Sequence, residues 1–243
     1  MNPIARILES CKRNIRRSPR MNLLLGHLLP LYRILSVKPD TEIVIEGYPR
    51  CANSFAVVAF VQSQPRVVKI AHHLHSLGQV RHGLQRGIPC LILLRNPRDA
   101  VLSLVIRKNL NDMALPLREY IDFHKGILEL CDKVVIAGFA QVTGDFGAVI
   151  RRVNRRYGVN FAEFDHTDEN VAACYQELDR IERGFSPNDS VRSTHVARPS
   201  EDRAALKKDL EAQLLSGKAH SLLQDATALY EAILPHTLDS DEK

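Results

Sequence analysis

Beyond residue 40, short β-rich runs alternate with longer stretches of helical periodicity. Glu42–Glu46 (EIVIE) alternates polar and apolar positions and stops at Gly47-Tyr48-Pro49, which predicts a strand followed by a turn. A helix over Ser54–Gln62 follows, with Ser54 near its start. Val67–Ala71 (VVKIA) predicts a second strand, and Ser76–Arg86 a helix ending at Gly87. Cys90–Leu94 (CLILL) is continuously apolar, the signature of a central parallel strand covered on both faces. Pro97 then sits at a helix start, with helical spacing over Asp99–Lys108.

Further along, the pattern predicts a helix over Leu115–Leu130 and a fourth strand over Lys133–Gly138. A helix over Asp145–Tyr157 closes at Gly158, and a short strand is expected around Val159–Phe161. Thr167–Arg183, Glu201–Leu215 and Ser221–Leu234 read as helices, with a polar, irregular loop over Gly184–Pro199. Four β–helix units in succession imply an α/β fold of three layers, a central parallel sheet flanked by helices. Ligands of such folds bind outside the carboxyl ends of the strands.

Composition narrows the class. At 243 residues, with 45% hydrophobic and 25% charged side chains, the chain suits one α/β domain of moderate size and excludes a wholly disordered or polytopic membrane protein. Trp is absent and aromatics are 6%, so the core must rest on Leu, Ile, Val and Ala. The net charge of +5 would suggest nucleic acid, but its distribution argues otherwise: residues 1–40 carry +6 and the remainder −1. A nearly neutral body offers no broad basic face for nucleic acid, while a local anion pocket remains compatible with it.

The expected organisation is a basic and apolar N-terminal segment over residues 1–40, an α/β domain over 41–236 and an acidic tail over 237–243. Residues 21–35 are apolar but interrupted by His27, Pro30 and Arg33, too short to span a bilayer and followed by no small-residue cleavage site. Two readings stay open there: a helix packed on the domain, and a peripheral membrane contact through basic and apolar side chains. Cys11, Cys51, Cys90, Cys131 and Cys174 are scattered and odd in number, which suits free thiols in a reducing, cytoplasmic setting.

Three strand ends carry unusual clusters. After the first comes Gly47-Tyr-Pro-Arg-Cys-Ala-Asn-Ser54, where the N–H groups of a helix start and the Arg50 cation could cradle an anion. It is not a Walker A loop, and Cys51 lacks the Arg six positions on that a cysteine phosphatase would need, since position 57 is Val. After the third strand, Arg95 is followed eight residues later by Ser103, a guanidinium and a hydroxyl suited to a second phosphate. After the second come His72, His73 and His75. Consecutive histidines on a strand point to opposite faces and no helical pair completes a ligand set, so no metal is expected, and one histidine serves better as a base.

These three clusters in this order resemble the sulfotransferases that use 3′-phosphoadenosine-5′-phosphosulfate (PAPS), over roughly residues 42–165. The resemblance implies a fold like that of the P-loop nucleoside triphosphate hydrolases, of sulfotransferase type. It implies that Arg50, Cys51, Ala52, Asn53 and Ser54 bind the 5′-phosphosulfate end, and that Arg95 and Ser103, with Arg192 or Arg198 as further candidates, bind the 3′-phosphate. His73 would be the base, with His72 the neighbouring candidate, and Lys69 and Arg50 would stabilise the leaving phosphate. The implied reaction moves a sulfuryl group from PAPS to a hydroxyl or amine of a small-molecule, glycan or lipid acceptor, without metal. Cys51-Ala52 stands where the family has Ser-Gly, so Ala52 would be strained if the loop needs a positive φ there. Two other classes remain: a P-loop transferase or kinase using ATP, and a non-catalytic nucleotide-binding protein on the same frame. The resemblance carries one requirement of its own: two anion pockets at neighbouring strand tips, placed to hold both ends of a bis-phosphorylated adenosine.

Overall fold

The computed structural model describes residues 34–184 and 201–238. The expected basic segment up to residue 33, the candidates Arg192 and Arg198, and the tail from residue 239 lie outside the described residues.

Four parallel strands form the central sheet: β1 (Ile43–Gly47), β2 (Ile70–His72), β3 (Cys90–Leu94) and β4 (Val135–Gly138), in the order β2-β1-β3-β4. Every residue of β1 and β3 is buried, as strands covered on both faces must be. The helices α1 (Asn53–Ser63), α2 (Leu77–Gln85), α3 (Pro97–Lys108) and α4 (Ala114–Leu128) connect them. After β4 come α5 (Phe139–Gly144), α6 (Phe146–Tyr157), α7 (Asp168–Gly184), α8 (Glu201–Leu214) and α9 (Gly217–Ile233). The three-layer α/β architecture expected from the sequence is the one observed. No helix among the described residues is long and apolar enough to cross a membrane.

Local chemistry explains most boundaries. The Asn96 side chain accepts from the Arg98 N–H at 3.0 Å and Pro97 occupies the first turn of α3. Asp145 caps α6 through the Ala148 N–H at 3.0 Å, and Gly158, at φ 64°, ends that helix in the left-handed conformation where a Cβ would be strained. The α1 sequence is apolar on nearly every side because α7 covers the helix as well as the sheet. On the other side of the molecule α4 packs against α2, α3 and α9, and α8 lies on α3.

Several expectations shift. The second strand begins at Ile70, and Val67 is exposed: only where the chain pairs with β1, at Ile43↔Ile70, does it become a strand. Residues 159–161 form no strand; instead Asn154 brackets Phe161, donating to its carbonyl and accepting its N–H. Helix α5 was not legible in the sequence pattern. At the domain edges, Val37 is buried with its N–H on Gln79 Oε1 at 3.2 Å, and Thr237 is buried with its carbonyl accepting from Gln141 at 2.9 Å. Both residues thus belong to the packed body.

The strand order locates the site. From β1 the chain moves outward to β2, whereas from β3 it moves the opposite way to β4. With right-handed crossovers, α1 then lies on one face and α2 and α3 on the other, and the crevice between them opens at the carboxyl ends of β1 and β3. The turn holding Arg50 and the residue Arg95 leave the sheet at that point.

Candidate functional site

Close approach of β1 and β3 sets the geometry. At the register pair Gly47↔Leu93, a Cβ on Gly47 would come within 2.6 Å of the Leu93 carbonyl oxygen, so only glycine lets the chain turn there. The turn into α1 is held from inside. Asn53 Nδ2 donates to the Tyr48 carbonyl at 2.9 Å, the Cys51 N–H donates to the same carbonyl at 3.3 Å, and Tyr48 Oη reaches the Pro116 carbonyl at 2.9 Å. Two residues of this turn have positive φ, Arg50 at 70° and Ala52 at 67°. The strain foreseen for Ala52 is therefore present.

This inward bonding revises the roles expected within the loop. Cys51 is fully buried, its N–H is used inside the turn and burial pushes its thiol up to about 12, so its side chain is an inert core group. The Asn53 side chain is buried as a brace, with its Oδ1 unpartnered. What the loop can offer an anion is the N–H groups of the first turn of α1, which by helix geometry have no intrahelical acceptor, together with the Ser54 hydroxyl and Arg50.

Arg50, Arg95 and Ser103 converge. Arg50 Nε donates to Ser103 Oγ at 3.0 Å, and Arg95 Nη1 donates to the Arg50 carbonyl at 2.8 Å. The Arg95 guanidinium lies over the Phe139 ring at 3.9 Å, and its own carbonyl accepts from Tyr120 Oη at 2.7 Å. Hydrogen bonds thus link the side chains expected at the two anion pockets, Arg50 from one strand tip and Arg95 and Ser103 from the other, into one cluster. Neighbouring strands lie about 4.8 Å apart, well within reach of an arginine side chain.

The histidines sit at the tip of β2. His72 is its last residue, and His73 and His75 adopt the left-handed conformation at φ 58° and 50°. That turn undoes the expected strand alternation and brings the two rings together, with Nδ1 of His72 and Nδ1 of His73 2.5 Å apart. His73 Nε2 meets Ser54 Oγ at 3.0 Å, so the base candidate touches the loop. Burial, reinforced by the neighbouring histidines, pushes His73 down to about 3, and burial lowers His72 as well. His75 Nδ1 donates to the Gly47 carbonyl at 2.7 Å. Among the described residues, no group of three or more His, Cys, Asp or Glu is arranged to hold a metal ion.

Lys69 does not join the cluster. It is exposed at the amino edge of the sheet, where its N–H meets Glu42 Oε1 at 3.1 Å. It lies three positions before His72, about 10 Å along a strand.

Glu46 went unrecognised in the sequence. It lies in the strand that the alternation of EIVIE predicts, and it is completely buried. Its carboxylate accepts from the Leu74 N–H at 2.8 Å, the His75 N–H at 2.9 Å and Gln79 Nε2 at 2.9 Å. Burial pushes its pKa up to about 8, against the hydrogen bonds that favour the charged form. An acidic residue directly before the Gly47 turn, in a strand paired on both sides, was the one available signal.

No family model matches the chain, and no curated protein matches it in sequence. Among solved structures, mouse sulfotransferase SULT7A1 complexed with PAP aligns at a TM-score of 0.43 and 12% identity, covering 79% of this chain and 90% of that one. That likeness is distant.

Proposed function

We propose that the chain transfers a sulfuryl group from PAPS to a hydroxyl or amine of an acceptor, with His73 as general base. The observation that carries this reading is the convergence of three strand-tip motifs on one crevice: Arg50 on Ser103, Arg95 on the loop carbonyl and His73 on Ser54. In the reaction the acceptor oxygen or nitrogen attacks sulfur, its proton passes to His73 Nε2, and the bond from sulfur to the 5′-phosphate oxygen breaks. The first-turn N–H groups of α1 and the Arg50 guanidinium receive the charge that builds on the departing phosphate. The Ser54 hydroxyl turns from His73 to a donor oxygen, which vacates Nε2 for the acceptor.

The electrostatics favour an anionic donor. A histidine pushed down to about 3 resists becoming a cation. A bound bisphosphate beside the ring offsets that resistance, because a nearby opposite charge favours the protonated form. Neutral His72 supplies no such charge, so an uncharged substrate would leave the His73 cation uncompensated.

Incubation of the full chain with ³⁵S-labelled PAPS and a cell extract tests the proposal, with label expected on a discrete acceptor. Thermal stabilisation by adenosine 3′,5′-bisphosphate but not by Mg·ATP is the accompanying expectation. Stabilisation by Mg·ATP alone would overturn the reading in favour of a kinase. Bisphosphate binding without label transfer to any acceptor would point to a binding protein.

A further inference from the structure

The resemblance favours His73 over its neighbour His72 as the base, and the geometry gives the two rings different surroundings. His73 faces the loop through Nε2, 3.0 Å from Ser54 Oγ, and faces His72 through Nδ1 at 2.5 Å. A hydrogen bond between two ring nitrogens needs one N–H and one lone pair, and a neutral imidazole has a single N–H. Two arrangements therefore exist. With the shared proton on His73, Nε2 of that ring carries a lone pair and accepts from the Ser54 hydroxyl. With the proton on His72, His73 must carry its own on Nε2, which then has nothing to offer an acceptor's proton.

We propose that His72 is a positioning residue: by accepting at its Nδ1, it holds His73 in the tautomer whose Nε2 lone pair faces the loop. This rests on the reading of His73 as the base. The backbone makes the pairing available, because the left-handed turn at His73, pinned through Leu74 and His75 by buried Glu46, sets the two rings edge to face with centroids 4.8 Å apart. The bond also changes during turnover. When Nε2 takes up a proton, the His73 ring becomes a cation that still donates Nδ1–H to His72, and a charge-assisted bond of this kind is roughly twice as strong as a neutral one.

The test is ¹⁵N long-range correlation spectroscopy of the full chain labelled at histidine, near neutral pH, with the His73 signals assigned by their loss in His73→Ala. The expected wild-type spectrum has an N–H nitrogen at His73 Nδ1 and an unprotonated nitrogen at Nε2. In His72→Phe this preference is lost, and in His72→Asn, whose side-chain oxygen can accept near the position of Nδ1, it returns. Turnover should fall about 10–100-fold in His72→Phe, the size usual for a partner that orients a histidine, and recover in His72→Asn, with affinity for adenosine 3′,5′-bisphosphate unchanged in both. A wild-type His73 protonated at Nε2, or a His72→Phe spectrum identical to wild type, overturns the proposal. Because the spectra need no substrate, absence of sulfuryl transfer would sink the proposed reaction while leaving the tautomer assignment supported or refuted on its own terms.

Discussion

Arg50 Nε donates to Ser103 Oγ at 3.0 Å, a bond that ties the turn after β1 to the helix after β3 across the place where the strand order reverses. It couples the two motifs that the sequence presents 53 residues apart. An anion entering the crevice meets a guanidinium already oriented by a hydroxyl and backed by Arg95.

Arg50→Ala is expected to lower kcat for sulfuryl transfer by about 10²–10³-fold, the usual result of removing one preorganised donor. Arg50→Lys should recover only part of this, since a single ammonium cannot reproduce the fork that bonds Ser103 and a phosphate together. Steady-state kinetics and calorimetry with adenosine 3′,5′-bisphosphate check both. Turnover in Arg50→Ala close to that of wild type would remove Arg50 from the mechanism.

His73→Ala should reduce kcat by about 10²–10⁴-fold, in the range of a lost general base, while nucleotide affinity stays near the wild-type value. The split between kcat and Kd distinguishes a base from a binding residue. A large fall in affinity with kcat preserved would assign His73 to donor binding instead.

Ala52 sits at φ 67° with no compensating side-chain bond. The left-handed conformation costs an L-residue about 1–2 kcal/mol, and glycine avoids this while losing more entropy on folding. Ala52→Gly should therefore stabilise the protein by about 0.5–1 kcal/mol, and Ala52→Val should destabilise it by more than that. Urea unfolding midpoints report the difference; a destabilised Ala52→Gly would mean that the turn does not carry this strain in solution.

His124 is buried, donating from Nδ1 to the Tyr120 carbonyl at 2.8 Å, stacked on the Tyr120 ring at 3.8 Å, with Nε2 unpartnered. Burial pushes its pKa down to about 4. Its folded pKa lies below the unfolded value, so its contribution to stability is present above about pH 6.5 and is lost as pH falls toward about 4; His73 acts with the same sign. His124→Phe keeps the ring stacked and removes the orphan nitrogen. It should stabilise the fold by about 1 kcal/mol at neutral pH and flatten the acid-side loss, as read from denaturant midpoints at about pH 7 and about pH 5. An acid-side slope equal to wild type would refute the assignment.

Much of the frame was readable along the chain. The continuous apolar run CLILL is β3, residue for residue, because a strand covered on both faces needs no alternation. Asn96-Pro97 marks the start of α3 through a cap and a fixed φ, both local effects. What the pattern did not show depends on distant chain. The alternation of EIVIE predicts a strand without revealing that Glu46 is enclosed; pairing with β2 on one side and β3 on the other buries all of β1. Lys69 looked adjacent to the histidines in sequence, yet the direction of β2 puts it at the opposite edge of the sheet.

The sequence by itself determined the layered α/β order and the residue types at the three strand tips, because periodicity, caps and turn chemistry act within a few residues. Only the tertiary structure decided how those tips meet. The strand order β2-β1-β3-β4 places Arg50 against Ser103, and a buried carboxylate 27 residues upstream of His73 pins the turn that swings that ring onto His72 and Ser54. Such contacts join segments far apart along the chain, and no local preference encodes them.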